Sequence, residues 1–134
     1  MNALIGYTGF VGGNLLKQYD FDDLYNSKNI NDIRGKHYNR LFICGVPAVK
    51  WWANQHPVED WENISGLIDI LKTVTAEEVV LISTVDVYPN PIDFDEDSQL
   101  SRDTGQPYGL HRLKFEDFVT QHFTNAYTLR LPGL

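Results

Sequence analysis

The first dozen residues restrict the fold of this chain more than any other stretch. A short apolar run, Ala3-Leu4-Ile5, ends on Gly6, and Gly9 and Gly12 follow at three-residue intervals. Phe10, Leu15 and Leu16 then begin a helical pattern, so the order is strand, tight glycine turn, helix. Glycines at such a turn let backbone approach a bound group closely. The helix N-terminus behind them offers unpaired N–H groups and a partial positive charge, which suits a nucleotide pyrophosphate. The spacing is Gly-x-x-Gly-x-x-Gly and not the commoner Gly-x-Gly-x-x-Gly. A glycine turn without a ligand is the plain alternative. The strand in front of it and the helix behind it favour phosphate binding.

The 134 residues suffice for one domain with a core, and 43% apolar with 22% charged residues suits a globular protein. No apolar run reaches the length of a membrane span, and the N-terminus reads as a working strand and not a signal peptide. A net charge of −7 argues against a nucleic-acid partner, although local backbone dipoles can still hold a small anion. The single cysteine, Cys44, excludes an internal disulfide and fits a reducing cytoplasm. The four histidines, His37, His56, His111 and His122, have no metal-ligand spacing, and no metal is expected.

Further along, Phe10 to Tyr19 reads as the first helix and Leu24-Tyr25 as a short strand closed by Asn26-Ser27-Lys28-Asn29. Asn31 to Asn39 is polar, a loop or a single helical turn. Leu41 to Cys44 is a continuous apolar run, as expected of a strand buried on both faces. Trp51 to Pro57 reads as a loop or irregular turn. From Pro57 the apolar residues Trp61, Ile64, Leu67, Ile68, Leu71 and Val74 recur at three and four, a helix. Val79 to Ile82 is a fourth strand, Val85 to Thr104 a long loop, Tyr108 to His122 a last helix, and Tyr127 to Leu131 a fifth strand. Strands alternating with helices predict an α/β fold, a Rossmann-like doubly wound parallel sheet of about five strands in the order 3-2-1-4-5. The ligand crevice is then expected between strands one and four, with Gly6, Gly45 and Ser83 opening onto it.

Two further motifs stand at strand or helix ends. Ile82-Ser83-Thr84-Val85-Asp86-Val87-Tyr88 closes the fourth strand, and Tyr108-x-x-x-Arg112 opens the last helix. A tyrosine with a cation at i+4 puts both on one helix face, where the cation favours the phenolate and equips the tyrosine for proton transfer. A neighbouring hydroxyl can hold a substrate oxygen. With these motifs the chain resembles the N-terminal part of an extended short-chain dehydrogenase/reductase, of the NAD-dependent epimerase/dehydratase family of nucleotide-sugar enzymes. Gly6-x-x-Gly9-Phe10-x-Gly12 resembles the family's cofactor turn, and Asp32-Ile33 its adenine-side dipeptide. Cys44-Gly45 resembles the end of its third strand, Asn63 the asparagine of its middle helix, and Arg130-Leu131-Pro132-Gly133 its fifth-strand ending.

The resemblance implies Tyr108 as acid/base, Thr84 as the ligand of the reacting oxygen, Asn63 as support for a water network, and Arg112 in the place of the family lysine. It implies cofactor contacts at Gly6, Gly9, Phe10, Val11, Gly12, Asn26, Ser27, Lys28, Asp32, Ile33, Cys44 and Gly45. It further implies NAD or NADP as cofactor, with Ser27 and Lys28 tilting the choice slightly to NADP, and a nucleotide sugar as substrate. Three departures stand out. Arg112 is a planar fork where the family has a compact ammonium. Val85-Asp86 lacks the acidic pair of the dehydratases. The chain stops as the fifth strand finishes, so residues 1–134 read as an incomplete dinucleotide-binding domain without its substrate domain, truncated before the last strands. A non-catalytic or impaired dinucleotide-binding module is therefore the alternative function, and an uncovered sheet edge predicts self-association. Trp51 and Trp52 read either as packing residues or as a stacking platform at the crevice. Asp93, Asp95, Glu96 and Asp97 read as a solvated loop.

Overall fold

The computed structural model describes residues 1–44, 50–84, 87 and 106–131. In chain order the elements are β1 (Asn2–Ile5), α1 (Phe10–Gln18), β2 (Asp23–Tyr25), a 3₁₀ turn (Ile30–Ile33), β3 (His37–Ile43), α2 (Lys50–Gln55), α3 (Pro57–Leu71), β4 (Thr75–Thr84), α4 (Pro107–His122) and β5 (Ala126–Leu131). The five strands form one all-parallel sheet, as the alternation of strand and helix predicts.

The strand order is β2-β1-β3-β4-β5 and corrects the expected 3-2-1-4-5. Between β2 and β3 the chain has only the 3₁₀ turn, and β2 is three residues long. That edge offers a seven-residue β3 little to pair with. Leu41 and Ile43 of β3 are fully buried, and that requires a central place. β3 therefore crosses to the other side of β1, pairing Ala3 with Leu41 and Ile5 with Ile43. The sheet reverses its winding between β1 and β3, so the crevice lies there and not between the first and fourth strands.

The register sorts the core. Ala3, Leu41 and Val79 lie in one row across the sheet, and Ile5, Ile43 and Leu81 in the next, all on the same face. They pack with Ile64 and Leu71 of α3 and with Phe115 and Val119 of α4 in one cluster. The opposite face carries Leu4, Phe42, Val80 and Tyr127 in a row. Tyr19 and Phe21, at the end of α1 and just after it, cover Phe42 with ring centroids 6.2 and 5.5 Å away. Toward β5 this face opens, and Tyr127 and Leu129 are 57% and 52% exposed.

Some elements differ in extent from the sequence reading, β3 among them, which starts at His37 and not at Leu41. Residues 50–55 form α2 instead of an irregular turn. Trp52 stacks on His56 at 4.7 Å, and the His56 amide N–H donates to the Trp52 carbonyl, so the aromatic pair supports a short helix. β4 begins at Thr75, because Thr75, Glu77 and Glu78 find side-chain partners on β3: His37, Asn39 and Arg40. The Val85–Thr104 loop lies outside the described residues except for buried Val87.

Candidate functional site

The site begins at the glycine turn. Gly6 has φ +93°, a left-handed conformation that side-chain-bearing residues seldom adopt. Its N–H donates to the Tyr25 carbonyl at 2.8 Å, which ties the turn to the end of β2. Gly12, buried in α1, sits against that turn. A Cβ there would lie 2.0 Å from the Gly6 oxygen and 2.7 Å from the Gly6 carbonyl carbon. The two glycines thus have different roles, Gly6 turning the chain and Gly12 letting α1 close onto the turn. Gly9 is the N-cap of α1, without a side-chain cap, so the helix starts with bare backbone facing outward.

A cavity of about 660 Å³ opens between β1 and β3, at the winding reversal. Gly6, Thr8 and Gly9 form one wall, Asn26, Ser27 and Ile30 the β2 end, and Cys44 the floor beside Ile5. Asn63, Gly66 and Leu67 of α3 stand opposite, with Glu62 and Ile70. Asn26 shapes its corner by bonding backbone. Its Oδ1 accepts from the Lys28 N–H at 2.9 Å, and its own N–H donates to Asn29 Oδ1 at 2.7 Å. Cys44 donates its N–H to the Ile5 carbonyl, and burial pushes its thiol up to about 12, which favours the neutral thiol at this wall.

Of the expected cofactor contacts, Gly6, Gly9, Asn26, Ser27 and Cys44 line this cavity, and so does Asn63. Gly12 supports it from behind. Phe10 is 73% exposed and Val11 partly buried, and neither side chain lines the cavity. Lys28 is exposed and joins only through its N–H. Asp32 is exposed and Ile33 belongs to the core cluster that also holds Tyr25 and Tyr38, and neither lines the cavity. Gly45 lies outside the described residues.

Thr84, Tyr108 and Arg112 do not line the cavity. Thr84 ends β4, paired in register with Leu131, and Tyr108 is half-buried in the first turn of α4. The Tyr108 N–H donates to Asn54 Oδ1 at 2.9 Å, so α2 caps α4, and Asn54 Nδ2 reaches Gln106 Oε1 at 2.7 Å. Arg112 is buried. Its Nη1 lies 2.5 Å from Asp60 Oδ2, and its Cζ sits 4.2 Å from the centre of the Tyr108 ring. His111 Nδ1 donates to the same Asp60 oxygen at 2.6 Å. Burial alone pushes the Asp60 carboxyl up, but bonds and charge from Arg112 and His111 outweigh it and hold the carboxyl below its usual range. About one turn on from Arg112, buried Glu116 accepts from Ser83 Oγ at 2.6 Å and from Arg130 Nη2 at 2.7 Å, clamping α4 to β4 and β5.

Asn54, Asp60, His111 and Glu116 escape sequence reasoning. The buried face of α4 holds His111, Arg112 and Glu116, so its apolar periodicity is weak and its polar positions read as solvent-facing. The one usable signal is the Asp60 position in the first turn of α3, which by itself suggests only a helix-terminal carboxylate.

No family model matches the sequence, and no curated protein matches it. Solved structures do match the fold. The dTDP-4-dehydrorhamnose reductase of Bacillus anthracis, solved with NADP, superposes with TM-score 0.74 at 17% identity over 98% of this chain and 52% of its own. The Clostridium acetobutylicum dTDP-4-dehydrorhamnose reductase gives 0.71 at 20% identity, over 97% of this chain and 52% of its own. A UDP-N-acetylglucosamine 4-epimerase from Methanobrevibacter ruminantium, solved with UDP-N-acetylmuramic acid, gives 0.69 at 15% identity, over 96% and 53%. The chain spans about half the length of these solved proteins. With the parallel sheet, its reversal between β1 and β3 and the glycine turn at that reversal, the likeness establishes the fold as the Rossmann fold shared with these nucleotide-sugar reductases and epimerases.

Proposed function

We propose that this chain is the dinucleotide-binding part of an NAD(P)-dependent oxidoreductase or epimerase acting on a nucleotide-linked sugar. The observation that carries the reading is the cavity at the β1–β3 reversal, walled by a glycine turn whose Gly12 has no room for a Cβ. Its volume of about 660 Å³ lies in the range of cofactor sites. The uncapped N-terminus of α1 and the bare Gly9 suit a pyrophosphate, and Asn26 and Ser27 suit a ribose. Ile30, Leu67 and Ile70 give an apolar wall for a flat base.

A nicotinamide ring supplies hydride exchange when bound. The protein's part is to hold the dinucleotide on Gly6, Gly9, Asn26 and Ser27, and to move a proton through Tyr108 with Thr84 on the substrate oxygen. Arg112 carries the cation of that pair. The chain is a single incomplete domain in this reading, and the sugar pocket belongs to the remainder of the parent protein. It acts in the cytoplasm, away from nucleic acid and membrane, and self-associates through the uncovered β4–β5 face.

One observation favours a second reading, a dinucleotide-binding module with impaired turnover. Arg112 is engaged by Asp60 and stacked on Tyr108, in the place where the resemblance has a compact ammonium. Titration with NADH and NADPH, read by nucleotide fluorescence, tests the common part of both readings. Saturable binding of either nucleotide, abolished by Gly9→Glu in a chain of unchanged circular dichroism, is expected. A folded wild-type chain that binds neither would remove the proposal. Reduction of a 4-keto nucleotide sugar by the parent protein then separates the active from the impaired reading.

A further inference from the structure

A buried guanidinium needs a reason to stay where it is. Arg112 has long, flexible methylenes and is 5% exposed, yet among the described residues its Nε and Nη2 have no hydrogen-bond partner. Left to itself, such a side chain would carry its charge to water. One carboxylate opposes that. Asp60 is 1% exposed, sits in the first turn of the 15-residue α3, and presents Oδ2 to Arg112 Nη1 at 2.5 Å. The same oxygen takes the His111 Nδ1 bond at 2.6 Å, so one atom of α3 holds two consecutive residues of α4. His111 is braced in turn by Trp61, with ring centroids 5.3 Å apart. The rest of the Arg112 contact belongs to Tyr108. Its Cζ lies 4.2 Å from the ring centre, and Nη1 is 3.4 Å from the Tyr108 carbonyl oxygen.

We propose that Asp60 is a positioning residue for Tyr108. Its carboxylate draws the Arg112 guanidinium against the face of the phenol ring and so fixes the ring in the first turn of α4. The cation acts on the tyrosine through the ring face, a stacking mode that suits the planar guanidinium. Asp60 is thus the counterpart of the arginine found where the resemblance has lysine: the longer, forked cation comes with a buried carboxylate that sets its place. Asn54 fixes the other side of the same turn by accepting the Tyr108 N–H. The inference rests on Tyr108 as the acid/base of the proposed function, and it adds Asp60 to the residues that set that group.

The test reads the arginine directly. In protein labelled with ¹⁵N at arginine, the Arg112 Hε signal is expected upfield, shifted by the Tyr108 ring current, and slow to exchange with water. Asp60→Asn, which keeps size and removes charge, is expected to erase the upfield shift and to speed Hε exchange about tenfold or more, because the side chain is then held only part of the time. Tyr108→Phe keeps the ring and leaves both features in place, whereas Tyr108→Leu erases the shift and leaves exchange slow. Should Asp60→Asn fail to fold, Asp60→Glu retains the charge and displaces it by one methylene, and the Arg112 Hε shift must move. An Arg112 signal unchanged in Asp60→Asn or Asp60→Glu would overturn the proposal while leaving nucleotide binding by the wild type intact. A wild type that shows the arginine signature but binds neither NADH nor NADPH would instead remove the proposed function.

Discussion

Gly12 and Gly13 are adjacent glycines in α1 for which the structure predicts opposite effects of the same substitution. In Gly12→Ala the new methyl would stand 2.0 Å from the Gly6 oxygen, 2.7 Å from the Gly6 carbonyl carbon and 3.1 Å from the Tyr7 Cα. All three are backbone atoms, so no rotamer change relieves the clash. Bringing the closest contact to 3.0 Å requires the helix and the turn to part by 3.0 − 2.0 = 1.0 Å at least. Overpacking of this kind costs about 1–3 kcal/mol, and backbone obstruction places Gly12→Ala at the upper end, about 3 kcal/mol. With an unfolding entropy of ~2.1 cal/mol/K per residue, 134 residues give about 0.28 kcal/mol/K, so Tm should fall by roughly 11 °C. In Gly13→Ala the methyl meets only the Tyr7 oxygen at 3.6 Å, an ordinary contact. Replacing a helical glycine there should stabilise by about 0.5–1 kcal/mol, raising Tm by roughly 2–4 °C. Thermal melts followed at 222 nm check both variants. A Gly12→Ala chain melting with the wild type, or a loss in Gly13→Ala as large as in Gly12→Ala, would refute the reading that α1 is seated directly on the Gly6 turn. Because that seating shapes the proposed phosphate cradle, Gly12→Ala should also weaken NADH binding, whereas Gly13→Ala should not.

The Asp60 carboxyl is held below its unfolded value by Arg112 and His111, so its contribution to stability is present above about pH 4 and disappears as pH falls through the lower, folded value. Urea midpoints should therefore drop between pH 5 and pH 2, and the drop should be smaller in Asp60→Asn, which starts less stable at neutral pH. Cys44, with its thiol pushed up to about 12 by burial, should react with a neutral disulfide reagent at pH 8 more slowly when folded than in urea, where a thiol near 8.5 is restored and the higher nucleophilicity of the folded thiolate only partly offsets its scarcity. Equal rates in the two states would show that the cavity floor is open and polar. Asn54→Ala removes the acceptor of the Tyr108 N–H and should cost about 1 kcal/mol, read as a lower urea midpoint with unchanged slope. Leu129→Lys places a charge on the uncovered β5 face, and it should shift light-scattering mass toward the monomer if that face joins two copies. A mass independent of concentration in the wild type would rule the association out.

The sequence by itself determined what local physics can determine. The strand–glycine–helix start, the apolar repeat of α3 and the double-buried runs at Leu41 and Val79 follow from periodicity and turn chemistry, and they make a parallel α/β sheet the natural solution. Gly6, Gly9, Asn26, Ser27 and Cys44 were legible as crevice residues because they stand where strands end, and strand ends in such a sheet open on one edge. Tertiary structure alone decided the strand order, since β3 went to the free side of β1 when the short β2 and the single 3₁₀ turn left no ladder outside. It placed Ile33 of the 3₁₀ turn in the core cluster. It also decided the surroundings of Tyr108. Asn54, Asp60 and Glu116 lie 54, 48 and 8 residues from Tyr108 along the chain, and no spacing rule connects the first two to α4. Their effect depends on burial, because a carboxylate 1% exposed beside a guanidinium fixes a helix that the same carboxylate in water would barely influence.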